Sequence, residues 1–221
     1  MDIDGTMLRS HGTGRKSFRA AAKELFGRDD VFEFGFSGLT DRLIARLGLE
    51  GCGQEVTEER ILAFLTHYEG LMDARRHENW QADILPGVVE FLDAVDAPEH
   101  IAVGVGTGNT RVGASVKLGW VDLWERFSFG GFGDDHEDRG ELIRMGAERG
   151  AAQLGVRLSE CRIVVVGDSI PDVEAAHAVA GECLAVCTGW TSVEDLKAAG
   201  ADRIVENLED PAARAFILSG P

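Results

Sequence analysis

Apolar and polar positions fall into two regimes along this chain. From residue 14 to residue 72 the apolar side chains recur at helical spacing. Phe18, Ala21, Ala22, Leu25 and Phe26 lead to a stop at Gly27, and Leu39, Leu43, Ile44 and Leu47 lead to Gly48. Ile61, Leu62, Leu65, Tyr68, Leu71 and Met72 then form one stripe behind Thr57, a helix-capping residue. Residues 11–82 are therefore predicted to be helical throughout, with the polar stretch at 34–41 as a loop between helices. At Leu85-Pro86-Gly87 the pattern changes. A helix carrying Val88, Val89, Phe91, Leu92 and Val95 precedes a short apolar run over 101–106, of the length of a buried strand. Further helices are predicted over 109–118, 139–154, from Pro171 to Ala180, and 193–199. They alternate with strands over 127–129, 163–166, 183–187 and 203–205. Such alternation implies an α/β fold, a doubly wound parallel sheet with helices on both faces. The helical stretch is then an insert, giving a core of 1–10 and 83–221 and a cap of 11–82.

Composition narrows the partners. The chain has 221 residues, enough for one ordinary domain with a smaller insert, and its formal net charge of −16 repels nucleic acid and anionic membranes. A metal cation suits that charge better. No apolar run approaches the roughly 20 residues that span a bilayer, and no signal sequence precedes Asp2, so a cytoplasmic protein, monomer or homodimer, is expected. Cys52, Cys161, Cys183 and Cys187 lack C-x-x-C spacing and read as reduced core thiols.

In doubly wound folds ligands sit beyond the carboxyl ends of the strands, so the residues after each apolar run are where chemistry is sought. Asp2 and Asp4 stand two apart before Gly5-Thr6, a spacing that lets one carboxylate attack while the other moves a proton. Thr107-Gly108-Asn109 follows the second run and offers a hydroxyl and N–H groups for a phosphate. Gly167-Asp168-Ser169 follows the 163–166 run, with Asp172 four residues on from Asp168. Three carboxylates can hold one hard cation.

In these motifs the chain resembles the haloacid dehalogenase-like (HAD) phosphohydrolase superfamily. Its first motif, D-x-D-G-T, and last, G-D-x-x-x-D, both appear, as does the Ser or Thr ending the second strand, here Thr107. Gly38-Leu39-Thr40-Asp41 and Thr107-Gly108-Asn109-Thr110 resemble signatures of the phosphoglycolate phosphatase-like branch, in which a helical cap is inserted into a Rossmann-like core. The resemblance implies Asp2 as nucleophile, forming an aspartyl-phosphate, and Asp4 as the acid and later the base. It implies Mg2+ held by Asp2, the Asp4 carbonyl and Asp168, with Asp172 orienting a ligand. Thr107, Gly108 and Asn109 would bind the phosphoryl oxygens, and Thr40, Asp41 and Arg42 would reach from the cap toward a small phosphorylated metabolite. Hinges are expected at Gly12, Gly14 and the Leu85-Pro86-Gly87 turn. The implied activity is Mg2+-dependent hydrolysis of a small phosphomonoester, possible substrates being phosphoglycolate-like. The alternatives are a sugar phosphomutase and a catalytically silent phosphate-binding protein; Asp4 argues against a dehalogenase, whose halide leaving group needs no acid.

Two departures from the family stand out. The third motif usually supplies a Lys, whereas this chain offers Arg139, with Arg144 as a rival. The family also has several apolar residues ahead of its first Asp, where only Met1 stands here, so a clipped central strand is expected. Other candidates read as structural. His136 among Asp134, Asp135, Glu137 and Asp138 is expected to be a flexible acidic loop. His67, His77, His100 and His177 are expected to be solvated or core residues, and Trp120, Trp124 and Trp190 to pack in the core or under the cap. Gly104 and Gly106 lack the third glycine of a dinucleotide fingerprint.

Overall fold

The computed structural model describes residues 1–76 and 82–219. His77, and the part of the predicted cap over 77–81, lie outside the described residues. The first strand, β1 (Leu8–Arg9), leads to helices α1 (Thr13–Phe26), α2 (Asp41–Gly51) and α3 (Glu58–Ala74), after which β2 (Asp83–Ile84) returns antiparallel to β1. Thr40 and Thr57 cap α2 and α3 by accepting the Leu43 and Arg60 amides. The apolar stripes close on one another: Phe18, Phe32, Ile44, Phe64, Leu65 and Tyr68 are all buried in one cluster. That cluster is completed from outside the helical insert by Val112, Val116 and Trp120. The loop expected over 34–41 is present but begins earlier: residues 28–40 are not helical, so the expectation of helix fails over 28–33, and Val31, Phe32, Phe34 and Phe36 bind the cluster from this loop.

After α4 (Val88–Asp96) come β3 (Val105–Gly106), α5 (Arg111–Gly119), β4 (Gly130–Gly131), α6 (Arg139–Leu154), β5 (Val164–Gly167), α7 (Ile170–Ala178), β6 (Glu182–Val186), α8 (Val193–Ala199), β7 (Arg203–Val205) and α9 (Pro211–Leu218). β3 pairs parallel with β4, and β5, β6 and β7 form a parallel sheet in that order. Between the two sets lies the chain's beginning: the Gly106 amide donates to Met1 O at 2.8 Å and the Asp2 amide to Val166 O at 2.9 Å. The strand order is thus β4-β3-(Met1–Asp2)-β5-β6-β7, an α/β core with parallel sheets as the alternation predicts. Above Met1 the facing edges of 101–104 and β5 part around an apolar cleft of about 690 Å³, lined by Met1, Val103, Phe129, Ile143 and Val164 among others.

Several expectations are corrected. The strand expected over 127–129 forms at Gly130–Gly131. A Cβ on Gly131 would overlap the Leu142 carbonyl, so only a glycine lets α6 lie this close to the strand. The run over 101–106 is paired only at its end. Trp190 is 93% exposed rather than packed, while Trp120 and Trp124 are half-buried. Of the four free cysteines only Cys183 is buried. The 134–138 loop is tied down rather than free: Asp134 accepts the Arg111 amide, Asp135 pairs with Arg149, Glu137 with Arg46, and Asp138 caps α6. No described helix is long and apolar enough to cross a membrane.

Candidate active site

The predicted residues lie where strand ends meet loops. Gly5, at φ +86°, turns the chain sharply after Asp4, and a Cβ there would fall 2.5 Å from Asp168 Oδ2. The turn therefore needs glycine both for its conformation and for the approach of Asp168. Asp2, Asp168 and Asp172 each present a carboxylate oxygen, all within 4.8 Å of one another, and all three are buried. Arg139, the first residue of α6, is buried among them: its Nη2 lies 3.1 Å from Asp2 Oδ1 and 2.6 Å from Asp172 Oδ1. Arg144 stands outside the site, exposed and paired with Glu141 and Glu148. Asp172 is fixed further by the Ser169 amide and hydroxyl, both donating to Oδ2, and Thr6 Oγ1 donates to Asp168 Oδ1 at 3.0 Å.

These contacts set the charges. Burial pushes the Asp2 carboxyl up to about 6, against the pull of Arg139 and with the help of Asp172 and Asp4. Asp168 is pushed up to about 8 by burial and then by the charges of Asp2 and Asp172. Burial works against the Arg139 charge, but Asp172 and Asp2 outweigh it and hold the guanidinium protonated. One arginine thus leaves three buried carboxylates under-compensated, and their donor atoms are all hard oxygens. A divalent oxygen-seeking cation such as Mg2+ fits this set.

Asp4 stands in a second group. Its Oδ1 accepts from Ser10 Oγ and its Oδ2 from Asn109 Nδ2 at 3.0 Å and Lys117 Nζ at 2.5 Å. Burial raises this carboxyl, yet the Lys117 charge and these hydrogen bonds prevail and hold it below its ordinary range. Asn109 Nδ2 also donates to Thr107 Oγ1 at 2.8 Å, joining Asp4 to the end of β3. Two residues at the start of α2 reach the backbone of the strand-end loops. Thr40 Oγ1 donates to Glu137 O, and Asp41 contacts both sides of Asn109. Arg42 points elsewhere, to Glu58.

Sequence reasoning missed Lys117, Ser10 and the Thr188-Gly189 turn. Lys117 had a signal: it lies seven residues after Thr110, two turns along the same face of α5, inside an apolar run. Thr188 Oγ1 donates to Gly5 O at 2.5 Å, and Gly189 packs on Asp168. Both follow β6, at a strand end that the rule of looking after each strand also covers.

Comparison with known proteins agrees with this picture. A family model described as HAD-hydrolase-like matches residues 141–211. A hydrolase from Pseudomonas syringae is 20% identical and superposes with a TM-score of 0.71 over 99% of this chain and 97% of its own. CbbY from Rhodobacter sphaeroides in complex with phosphate is 18% identical, with a TM-score of 0.72 over 95% of this chain and 93% of its own. A putative beta-phosphoglucomutase from Thermotoga maritima is 22% identical, with a TM-score of 0.57 over 97% and 95%. A sequence search of curated proteins returned no match. Fold and site define an α/β protein with an acidic centre at the strand ends. The matched segment carries the Asp168 and Asp172 motif, so this part of the chain is similar to the HAD-like hydrolases, and the solved structures share its fold.

Proposed function

We propose that this chain is a Mg2+-dependent phosphatase that hydrolyses a small phosphomonoester through an aspartyl-phosphate on Asp2. The observation that carries the reading is the meeting of Asp2, Asp168 and Asp172 around Arg139, with Asp4 two residues on and held by its own partners. The Asp2 carboxylate attacks phosphorus, and the ester oxygen departs with a proton from Asp4. Water then attacks the aspartyl-phosphate, Asp4 takes its proton, and phosphate leaves with Asp2 restored. Because Asp4 is held as a carboxylate at rest, the proton it passes on arrives with the substrate, as the monoanion of the ester.

Arg139 offsets charge beside the nucleophile, and Thr107 with the N–H groups around Gly108 and Asn109 holds the phosphoryl oxygens. Asp2, the Asp4 carbonyl and Asp168, with Asp172 behind, would hold Mg2+, which would supply positive charge for an anion approaching an anion. Thr40 and Asp41 bring the cap over the site and exclude water. Release of phosphate from para-nitrophenyl phosphate in Mg2+, and its loss in excess chelator and in Asp2→Asn, tests the reading. Turnover that survives in Asp2→Asn overturns it. The likeness to a putative beta-phosphoglucomutase keeps a second reading in play, and conversion of a sugar phosphate to an isomer without free phosphate would favour it.

A further inference from the structure

Asp41 belongs to the cap, yet both its backbone and its side chain are spent on the phosphate loop. Its amide donates to Gly108 O at 2.6 Å, and its Oδ2 accepts from the Thr110 amide at 2.8 Å. These two partners flank Asn109. A trans peptide is planar, with its C=O and N–H pointing opposite ways. Turning Gly108 O toward Asp41 therefore turns the Asn109 N–H away from the cap, where it donates to Thr107 Oγ1 at 3.3 Å, at the end of β3, a bond that an incoming phosphate oxygen would share or replace. On the next plane, drawing the Thr110 N–H to Asp41 directs Asn109 O the other way, where it accepts from the Gly133 amide at 2.7 Å. The approach is close throughout: a Cβ on Gly108 would lie 3.0 Å from Leu39 C and Thr40 Cα. Asp41 itself is 5% exposed.

We propose that Asp41 is a positioning residue that sets the two peptide planes around Asn109, so that cap closure assembles the phosphate-binding amide rather than merely covering it. The inference rests on the phosphatase reading for the role of the Asn109 amide. It separates two jobs for the same side chain. A residue that reads the leaving group has no effect on inorganic phosphate, which carries none, whereas one that orients the loop does.

The test is calorimetric titration of orthophosphate into the Mg2+-loaded protein. Asp41→Ala keeps the backbone bond to Gly108 O but frees the Asn109–Thr110 plane, so that Asn109 is held from one side only; the Kd for orthophosphate should rise by about tenfold as its amide loses its aim. Asp41→Asn, whose Oδ1 still accepts from Thr110, should stay within about threefold of wild type, since the acceptor and not the charge orients the plane. If Asp41→Ala does not fold, as judged by urea unfolding, Asp41→Ser replaces it, its hydroxyl falling short of Thr110. Wild-type affinity in the Ala or Ser variant overturns the proposal, as does an equal loss in Asp41→Asn. A wild-type protein that binds orthophosphate but hydrolyses no phosphate ester sinks the phosphatase reading alone. One that does not bind it sinks both.

Discussion

Gly189→Ala is a one-carbon change that tests the acidic centre from behind. A Cβ at Gly189 would fall 2.8 Å from Asp168 Cβ and closer still to its Cγ and Oδ2. Carbon atoms pack at about 3.5 to 4.0 Å, so the carboxyl has to retreat by about 1 Å. The loop cannot yield instead without breaking the hydrogen bond from Thr188 Oγ1 to Gly5 O, and a retreating Asp168 loses Thr6. Overpacking of this kind costs about 1 to 3 kcal/mol of stability, and a 1 Å misplacement of a catalytic group costs about a hundredfold in rate. The assay is hydrolysis of para-nitrophenyl phosphate across a Mg2+ titration, with urea unfolding alongside. The expected result is a rise in the half-saturating Mg2+ concentration and a fall in kcat/KM of about a hundredfold. Gly155→Ala is the control: at φ +71° with no atom within 4 Å, it meets only backbone strain of about 1 kcal/mol at the end of α6, far from the site. If Gly189→Ala keeps its Mg2+ requirement and kcat/KM within about threefold of wild type, Asp168 is not the group the reaction depends on.

Arg139→Met should leave Asp2 and Asp172 buried without their cation, costing about 3 to 5 kcal/mol in metal-free urea unfolding and less in Mg2+; equal loss in both buffers would show that the arginine and a dication do not share one field. Calcium should bind the same oxygens but support slower turnover than magnesium, because its larger coordination shell draws in both oxygens of the nucleophile; equal rates in the two ions would refute the assignment. Asp4→Asn should let a phosphoenzyme form from an aryl phosphate and slow its breakdown, seen as a burst, and a variant with normal steady-state turnover would remove Asp4 from the mechanism. The Asp41 carboxyl, pushed up by burial to about 7 from 3.8, contributes stability that is full below the unfolded value and lost as pH rises through the folded one. Asp41→Asn should therefore flatten the decline between those values by up to about 1.4 kcal/mol per pH unit, and parallel wild-type and variant profiles would contradict it.

Periodicity was a good guide where one face of an element meets the core. The cap at Thr57 and the β5 run appear as the spacing predicts, and so do the stripes of α1 and α3 except that Leu25 and Leu62 stay exposed, because burial of a single face fixes both period and register. It failed where a contact is made by backbone or by side chains outside regular elements. The strand at Gly130–Gly131 has no apolar run to announce it, and the 28–40 loop places Phe32 and Phe36 in the cluster without helical spacing. α9 had its signals, Asp210 as cap and Pro211 at the first turn, but lies after the last apolar strand. At the site, acids at strand ends were legible because loops there must face a ligand. Lys117 was missed: its spacing from Thr110 puts both on one face of α5, but that spacing does not say that the lysine will find Asp4 on another element.

The meeting of Met1–Asp2 with its two neighbours has a practical side. The two halves of the core are coupled across the backbone of Met1 and Asp2, through the bonds to Gly106 and Val166, beside a cleft. Thr107 belongs to one half and Asp168 to the other. A phosphate and cation touching both would act as a second strut across the seam, adding to the folded state whatever their binding is worth, about 2.7 kcal/mol at a hundred times Kd. Heat resistance, shelf life and yield on purification should then follow the buffer's magnesium and phosphate as closely as they follow the sequence.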